Sequence, residues 1–188
     1  MAYRVIVPPA GEPVTLAEAK ANLRVVFDDE DSQISAMITA ARQMLEGRIN
    51  RVLMPQTIEV AAASFDELSL PMLPVRSIDS LSYLDSSGVE QAVGLTAYFF
   101  DDYLEPPKIT PVHGTTWPAV YGQGSAVRLR YQAGYADAAS VPAPLKQWIL
   151  LTVASLYENR QSLTAGAQTY ALPDEFSNML LQPYMVYV

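Results

Sequence analysis

Three carboxylates lie close together at Asp101, Asp102 and Glu105. Paired carboxylates divide acid and base roles in glycoside hydrolysis. That chemistry needs the two groups to face each other across a cleft, and nearness along the chain does not supply this. A solvated acidic loop is the competing reading. A second acidic run, Asp28-Asp29-Glu30-Asp31, has the residue types of a metal site. Negative charge just ahead of a helix is also favoured by the helix dipole. The run therefore reads as a helix start, with Asp31 or Ser32 as its cap.

His113 is the single histidine and the chain has no cysteine. A paired-histidine metal site, a cysteine-ligated metal and a cysteine nucleophile are excluded within one chain. His113 reads as a loop residue with a structural or interface hydrogen bond. Gly122-Gln123-Gly124 lacks the Lys-Ser/Thr that a phosphate loop needs. Arg128 and Arg130 share one face of an alternating run and are expected to pair with carboxylates. Trp117 and the tyrosines could stack on bases, but that use needs a basic groove. Tyrosine and tryptophan are also preferred anchors of protein interfaces, and that reading prevails here. No catalytic, cofactor-binding or metal-ligating residue is expected.

The elements that position these residues fall into three stretches. Residues 1–55 and 141–188 read as helical and residues 56–140 as strands and turns. Thr15-Leu16-Ala17-Glu18 is a capping box, and the helix it opens is expected to end near Arg24. Ile34, Met37, Ile38, Ala41 and Leu45 form the apolar stripe of a second helix, with Gln33, Arg42, Gln43 and Glu46 on the opposite face. Runs at 56–62, 78–84, 89–93, 98–100 and 126–131 have strand character, and Asp85-Ser86-Ser87-Gly88 marks a hairpin turn. Scattered prolines between them limit the sheet to a small antiparallel one with long loops. A further helix enters at Val141-Pro142-Ala143-Pro144 and carries Leu145, Trp148, Ile149 and Leu156. Residues 163–171 read as an arm and Pro173 opens a short terminal helix.

The chain has 188 residues, half of them hydrophobic and only 17% charged. An average soluble domain has about 25% charged residues. The shortage suggests that part of the surface meets another subunit. The formal charge is −8, and residues 56–140 hold ten acidic and four basic residues, or −6 of it. Sequence-independent DNA binding needs the opposite sign. No leader or membrane span is read in the sequence, and synthesis in a cytoplasm is expected.

Several stretches look familiar in combination. They are Pro13-Val14-Thr15-Leu16-Ala17-Glu18-Ala19-Lys20 leading to Leu23-Arg24-Val25, the acidic run with Ile34-x-x-Met37-Ile38-x-x-Ala41, and Ala133-Gly134-Tyr135. Val141 to Lys146, Leu156-Tyr157-Glu158-Asn159-Arg160 and Leu180-Leu181-x-Pro183-Tyr184 follow. In this order they resemble the head–tail connector (head-completion or adaptor) proteins of tailed phages, also found in gene-transfer agents. Where that family often has Arg after the last motif, this chain has Met185. The resemblance implies an α+β fold, with a small bundle of about four helices (1–55 and 141–188) and an inserted antiparallel β region (56–140). It implies a structural, non-enzymatic virion protein of the neck. Such a subunit forms a ring, usually of twelve copies (a dodecameric ring) in this family, under the portal protein. The ring extends the DNA channel, lets DNA pass without specific binding, and receives the next neck, stopper or tail component. No cofactor or membrane is implied. Other readings are a different neck or tail-completion ring, or a small carbohydrate- or peptidoglycan-active enzyme using Asp101, Asp102 and Glu105.

Two sets of site residues follow. The apolar segment 173–188 is expected to dock on the portal or a neighbouring subunit through Phe176, Met179, Leu180, Tyr184 and Tyr187. The carboxylates Asp66, Glu67, Asp79, Asp85, Glu90, Asp101 and Asp102 are expected to face the channel, where negative charge repels the phosphate backbone.

Overall fold

The computed structural model describes residues 2–66, 68–122, 124–159 and 179–186. These residues form two compact units. Residues 2–10 with 55–135 make a β unit. Residues 11–54 with 136–159 and 179–186 make a helical unit. The fold is α+β, as expected. The division differs at the N-terminus: residues 2–10 join the sheet and not the helices.

The helical unit starts at α1, Leu16–Leu23. Thr15 Oγ1 accepts from the Glu18 N–H, and the Glu18 carboxylate accepts from the Thr15 N–H, closing the expected capping box. Arg24 ends the helix in the left-handed conformation. Helix α2 spans Asp31–Ile49 and buries Ile34, Ile38, Ala41, Leu45 and Ile49. Its N-cap is Glu30 without a side-chain cap bond, so neither Asp31 nor Ser32 takes that position. Lys20 Nζ instead bridges Asp28 and Asp31, at 2.6 Å each. The Tyr157 hydroxyl donates to Glu30 at 2.5 Å. The acidic run is thus spent on ion pairs and on the helix start. Helix α3 spans Ala143–Glu158 and buries Leu145, Trp148, Ile149 and Val153. Its Pro-containing first turn fits, because an N–H there would have no helical partner.

The β unit holds a five-stranded antiparallel sheet in the order β1-β2-β7-β3-β4. Its strands are β1 Ala2–Val7, β2 Gln56–Ala62, β3 Val75–Leu84, β4 Glu90–Val93 and β7 Val127–Ala133. Strand β7 alternates: Val127, Leu129, Tyr131 and Ala133 are buried, while Arg128 and Arg130 are exposed. At the β3–β4 turn, Asp85 Oδ1 accepts from the Ser87 and Val89 N–H groups, and Gly88 takes φ +80, which glycine adopts without steric cost. Strands β5 Tyr98–Asp101 and β6 Lys108–Pro111 pair in a separate two-stranded sheet. Asp101 lies opposite Lys108 and Tyr98 opposite Pro111.

Candidate functional site

The expected polar face of α2 is only half polar to solvent. Gln33 and Gln43 are exposed, but Arg42 and Glu46 are buried. Arg42 Nε donates to Glu12 at 2.6 Å and Nη1 to Glu46 at 2.8 Å. The other Glu46 oxygen accepts the Leu53 N–H at 2.9 Å. Thr39 also donates to Glu12. Burial weighs against the Arg42 charge, but the bonds and charges of Glu12 and Glu46 outweigh it. Glu46 leans the other way: burial pushes its carboxyl above the usual range despite Leu53 and Arg42. The asymmetry has a physical source. Arg42 has two carboxylates, whereas Glu46 shares one guanidinium with Glu12.

A second network crosses the sheet. Glu59 is buried between Arg4 and Arg130 on the neighbouring strands, with Arg130 Nε at 2.6 Å. Burial alone would raise the Glu59 carboxyl, but the bonds and charges of Arg130 and Arg4 hold it below the usual range. Arg130 thus pairs with a carboxylate, as its sequence context suggests. Gln132 joins Thr57 and Asp79 on the same face.

The expected docking segment is described over 179–186, while Phe176 and Tyr187 lie outside the described residues. Leu181 is fully buried and Val186 nearly so. The Val186 N–H donates to the Ile49 carbonyl, Asn50 Nδ2 to the Val186 carbonyl, and Arg51 Nε to the Tyr184 carbonyl. This part of the segment is therefore tied to the end of α2 in its own subunit. The left-handed Asn50 that closes α2 provides the amide for one of these bonds. Met179 is 72% exposed, and Leu180 and Tyr184 are half-buried.

The described residues among the expected channel carboxylates all belong to the β unit. Asp66, Asp79, Glu90 and Asp102 are exposed, Asp85 and Asp101 half-exposed, and Glu67 lies outside the described residues. Asp85 shapes the β3–β4 turn, and Gln91 and Val89 hold its carboxyl below the usual range. Asp101 accepts the Tyr103 N–H at the end of β5. Asp102 and Glu105 are exposed on the turn between β5 and β6. His113 is exposed on the loop after β6. Among the described residues no group of three or more acidic, His or Cys side chains could hold a metal ion. None of the described helices is long and apolar enough to cross a membrane.

Two features escaped sequence reading. Strand β1 presents Tyr3, Val5, Ile6 and Val7 at 37–53% exposure on the sheet edge. The β-branched run Val5-Ile6-Val7 was its signal, cut short by the prolines that follow. A cleft of about 720 Å³ opens between Phe65, Asp66, Leu68 and Ser69 on one side and β6 and residues 115–117 on the other. Phe65 and Trp117 stack there at 4.4 Å with an interplanar angle of 7°. No local pattern links residues so far apart in sequence.

Residues 13–81 match the family described as "Phage gp6-like head-tail connector protein". No curated protein sequence matches the chain. Its fold is similar to chains in three solved assemblies. One is the neck of an empty gene transfer agent particle computed with C6 symmetry, with a TM-score of 0.80, 23% identity, and coverage of 100% of this chain and 97% of that one. Another is the virion of a native gene transfer agent particle, at 0.78 and 24% with the same coverage. The third is the neck of a native particle computed with C12 symmetry, at 0.78 and 22%, again covering 100% and 97%. The family model thus matches the head–tail connector resemblance over residues 13–81, and the solved structures share the fold of the whole chain.

Proposed function

We propose that this chain is a structural head–tail connector of a tailed phage or phage-like particle, and not an enzyme. It forms a ring in the virion neck, beneath the portal protein, and the next neck or tail component docks on that ring. The observation that carries this reading is the whole-chain fold match to neck subunits, joined to the connector-family match over 13–81. The low charged fraction and the exposed apolar residues of both units support it.

Met179, Leu180 and Tyr184, with Phe176 and Tyr187 of the same segment, engage the portal or a neighbouring subunit. Leu181 and Val186 hold the segment on its own subunit. Asp79, Asp85 and Glu90, on β3, the following turn and β4, contribute to a negative channel wall. Twelve copies at −8 would carry −96, a field that repels DNA phosphates and keeps the passing duplex from sticking.

Electron microscopy of the particle neck tests the reading, with a closed ring of this chain expected against the portal. A neck without such a ring overturns it. The surface assignment is tested with Met179→Glu. Its unfolding midpoint should match the parent, because the side chain is exposed, while its incorporation into necks should fall. Normal incorporation removes Met179 from the docking surface.

A further inference from the structure

The five-stranded sheet has two open edges, β1 at one end and β4 at the other. Every neighbouring pair in it is antiparallel. Four reversals separate β1 from β4, so these two strands run in the same direction. A second copy brought alongside without being turned over therefore sets its β1 parallel to β4.

The two edges match in length. On β1 the register slips between Val5 and Val7, and Pro8-Pro9 follow, which leaves Ala2 to Val5 as the regular stretch. Strand β4 is also four residues long, Glu90–Val93. Neither stretch contains proline or lysine, two usual guards of an edge against strand addition.

The side chains match face by face. Opposite residues of paired strands share a face. Tyr3 and Val5 lie opposite Val60 and Ile58, and Val93 lies opposite Leu81, and these three partners are buried. Tyr3 and Val5 are nonetheless 46% exposed each, so the apolar layer of the sheet runs out to an uncovered rim. On the other face Arg4 lies opposite Glu59, and Glu59 opposite Arg130. Arg128, two residues from Arg130, lies opposite Ser82, and Ser82 opposite Ala92. Glu90, two residues before Ala92, thus shares the face of Arg4. Both charged side chains are exposed. Each is oriented by its own subunit: Glu59 holds Arg4, and the Ser82 hydroxyl donates to Glu90 at 2.9 Å.

We propose that neighbouring copies of this chain join sheet to sheet, with β1 of one subunit parallel to β4 of the next. Laid end to end, Ala2 to Val5 against Glu90–Val93, the strands set Val5 beside Val93 and Tyr3 over the stem of Gln91 on the apolar face. On the other face Arg4 stands diagonal to Glu90, within reach of a long side chain. A pairing of like edges offers no such match: Arg4 would find only Arg4, and Glu90 only Glu90. Like edges also close after two copies, whereas unlike edges repeat from copy to copy. The inference rests on the ring reading and names the contact that builds the ring. Glu90 then lies at the seam between subunits, on the sheet face that also carries Asp79.

The chain has no cysteine, so introduced thiols have no background. Necks assembled from subunits carrying both Val5→Cys and Val93→Cys are treated with a short bismaleimide and separated under denaturing conditions. A ladder of dimers, trimers and higher multiples is expected, while either single variant stays monomeric. Dimers from a single variant would show that like edges meet, and would overturn the proposal. A ring visible in the same necks without a ladder overturns it too, and leaves the ring reading intact. Necks with no ring overturn both. Glu90→Lys tests the charge match on an exposed side chain. Its unfolding midpoint should equal the parent's, while its incorporation in competition with the parent should fall about tenfold, as an attraction becomes a repulsion. Glu90→Gln should fall between the two. Undiminished incorporation of Glu90→Lys removes the reason for choosing β1 as the partner of β4 and overturns the proposal.

Discussion

The two units bury a carboxylate in opposite ways. In the helical unit Glu46 and its partner Arg42 are both nearly inaccessible, and every bond they make is internal. In the β unit Glu59 is buried, but its two arginines reach it from solvent, with side chains 66% and 50% exposed. The arginine stems cover Glu59 while their charged ends stay hydrated. The first carboxyl is pushed up and the second is held down. The contrast shows that a buried acid is easily kept charged when its partner stays wet, and strained when the pair goes dry together.

The largest expected effect comes from breaking the dry pair. Arg42→Met leaves Glu46 and Glu12 without their cation and should cost about 3–5 kcal/mol. Urea unfolding followed through Trp148 in the helical unit checks this. In a Trp117→Phe background no other tryptophan contributes, since the chain has two. A loss below about 1 kcal/mol would mean that the site hydrates and that the contrast is false.

Leu181→Ala comes next. Its side chain is fully buried against the helical unit, so the loss should be about 2–5 kcal/mol. Amide exchange should rise at Ile49 and Asn50, where the segment is bonded. A near-neutral result would show that residues 179–186 detach readily in solution.

Thr15→Ala opens the capping box and should cost about 1 kcal/mol, seen as faster exchange in α1. Arg130→Gln should cost no more than about 1 kcal/mol, because Arg4 still covers Glu59 and the lost pair is half in water. A larger loss would put Arg130, and not Arg4, in charge of that carboxylate.

The pH dependence should differ in sign between the two sites. Glu59 has a folded value below its ordinary 4.5. Its stabilisation is present above about pH 4.5 and is lost as pH falls through the lowered value. Glu46 has a folded value above 4.5. It favours the folded state fully below about pH 4.5, and that contribution is lost as pH rises through the raised value. Glu59→Gln should therefore flatten the acid limb of the stability curve, and Glu46→Gln the limb above about pH 4.5. Unfolding midpoints measured across that range give both slopes.

Much of the local structure was legible in the sequence. The capping box, the α2 stripe, the Asp85–Gly88 turn and the alternation of β7 each rest on contacts a few residues apart. Periodicity and turn chemistry act at that range, so they survive without tertiary knowledge. The connector resemblance was legible for the same reason, as it rests on short segments in a fixed order.

What only the tertiary structure decided involves distant partners. Arg42 and Glu46 lie on the helix face that hydropathy assigns to water, yet Glu12, 30 residues before Arg42, draws the guanidinium inward. Strand β1 exists because β2, more than fifty residues away, supplies its hydrogen bonds. Half of the apolar terminal segment turned back because Ile49, Asn50 and Arg51 offer main-chain and side-chain partners there. The cleft joins residue 65 to residue 117 by ring stacking. Composition and spacing show which side chains need a partner. Which partner arrives is set by the packed chain, because burial and charge pairing are settled in space and not along the sequence.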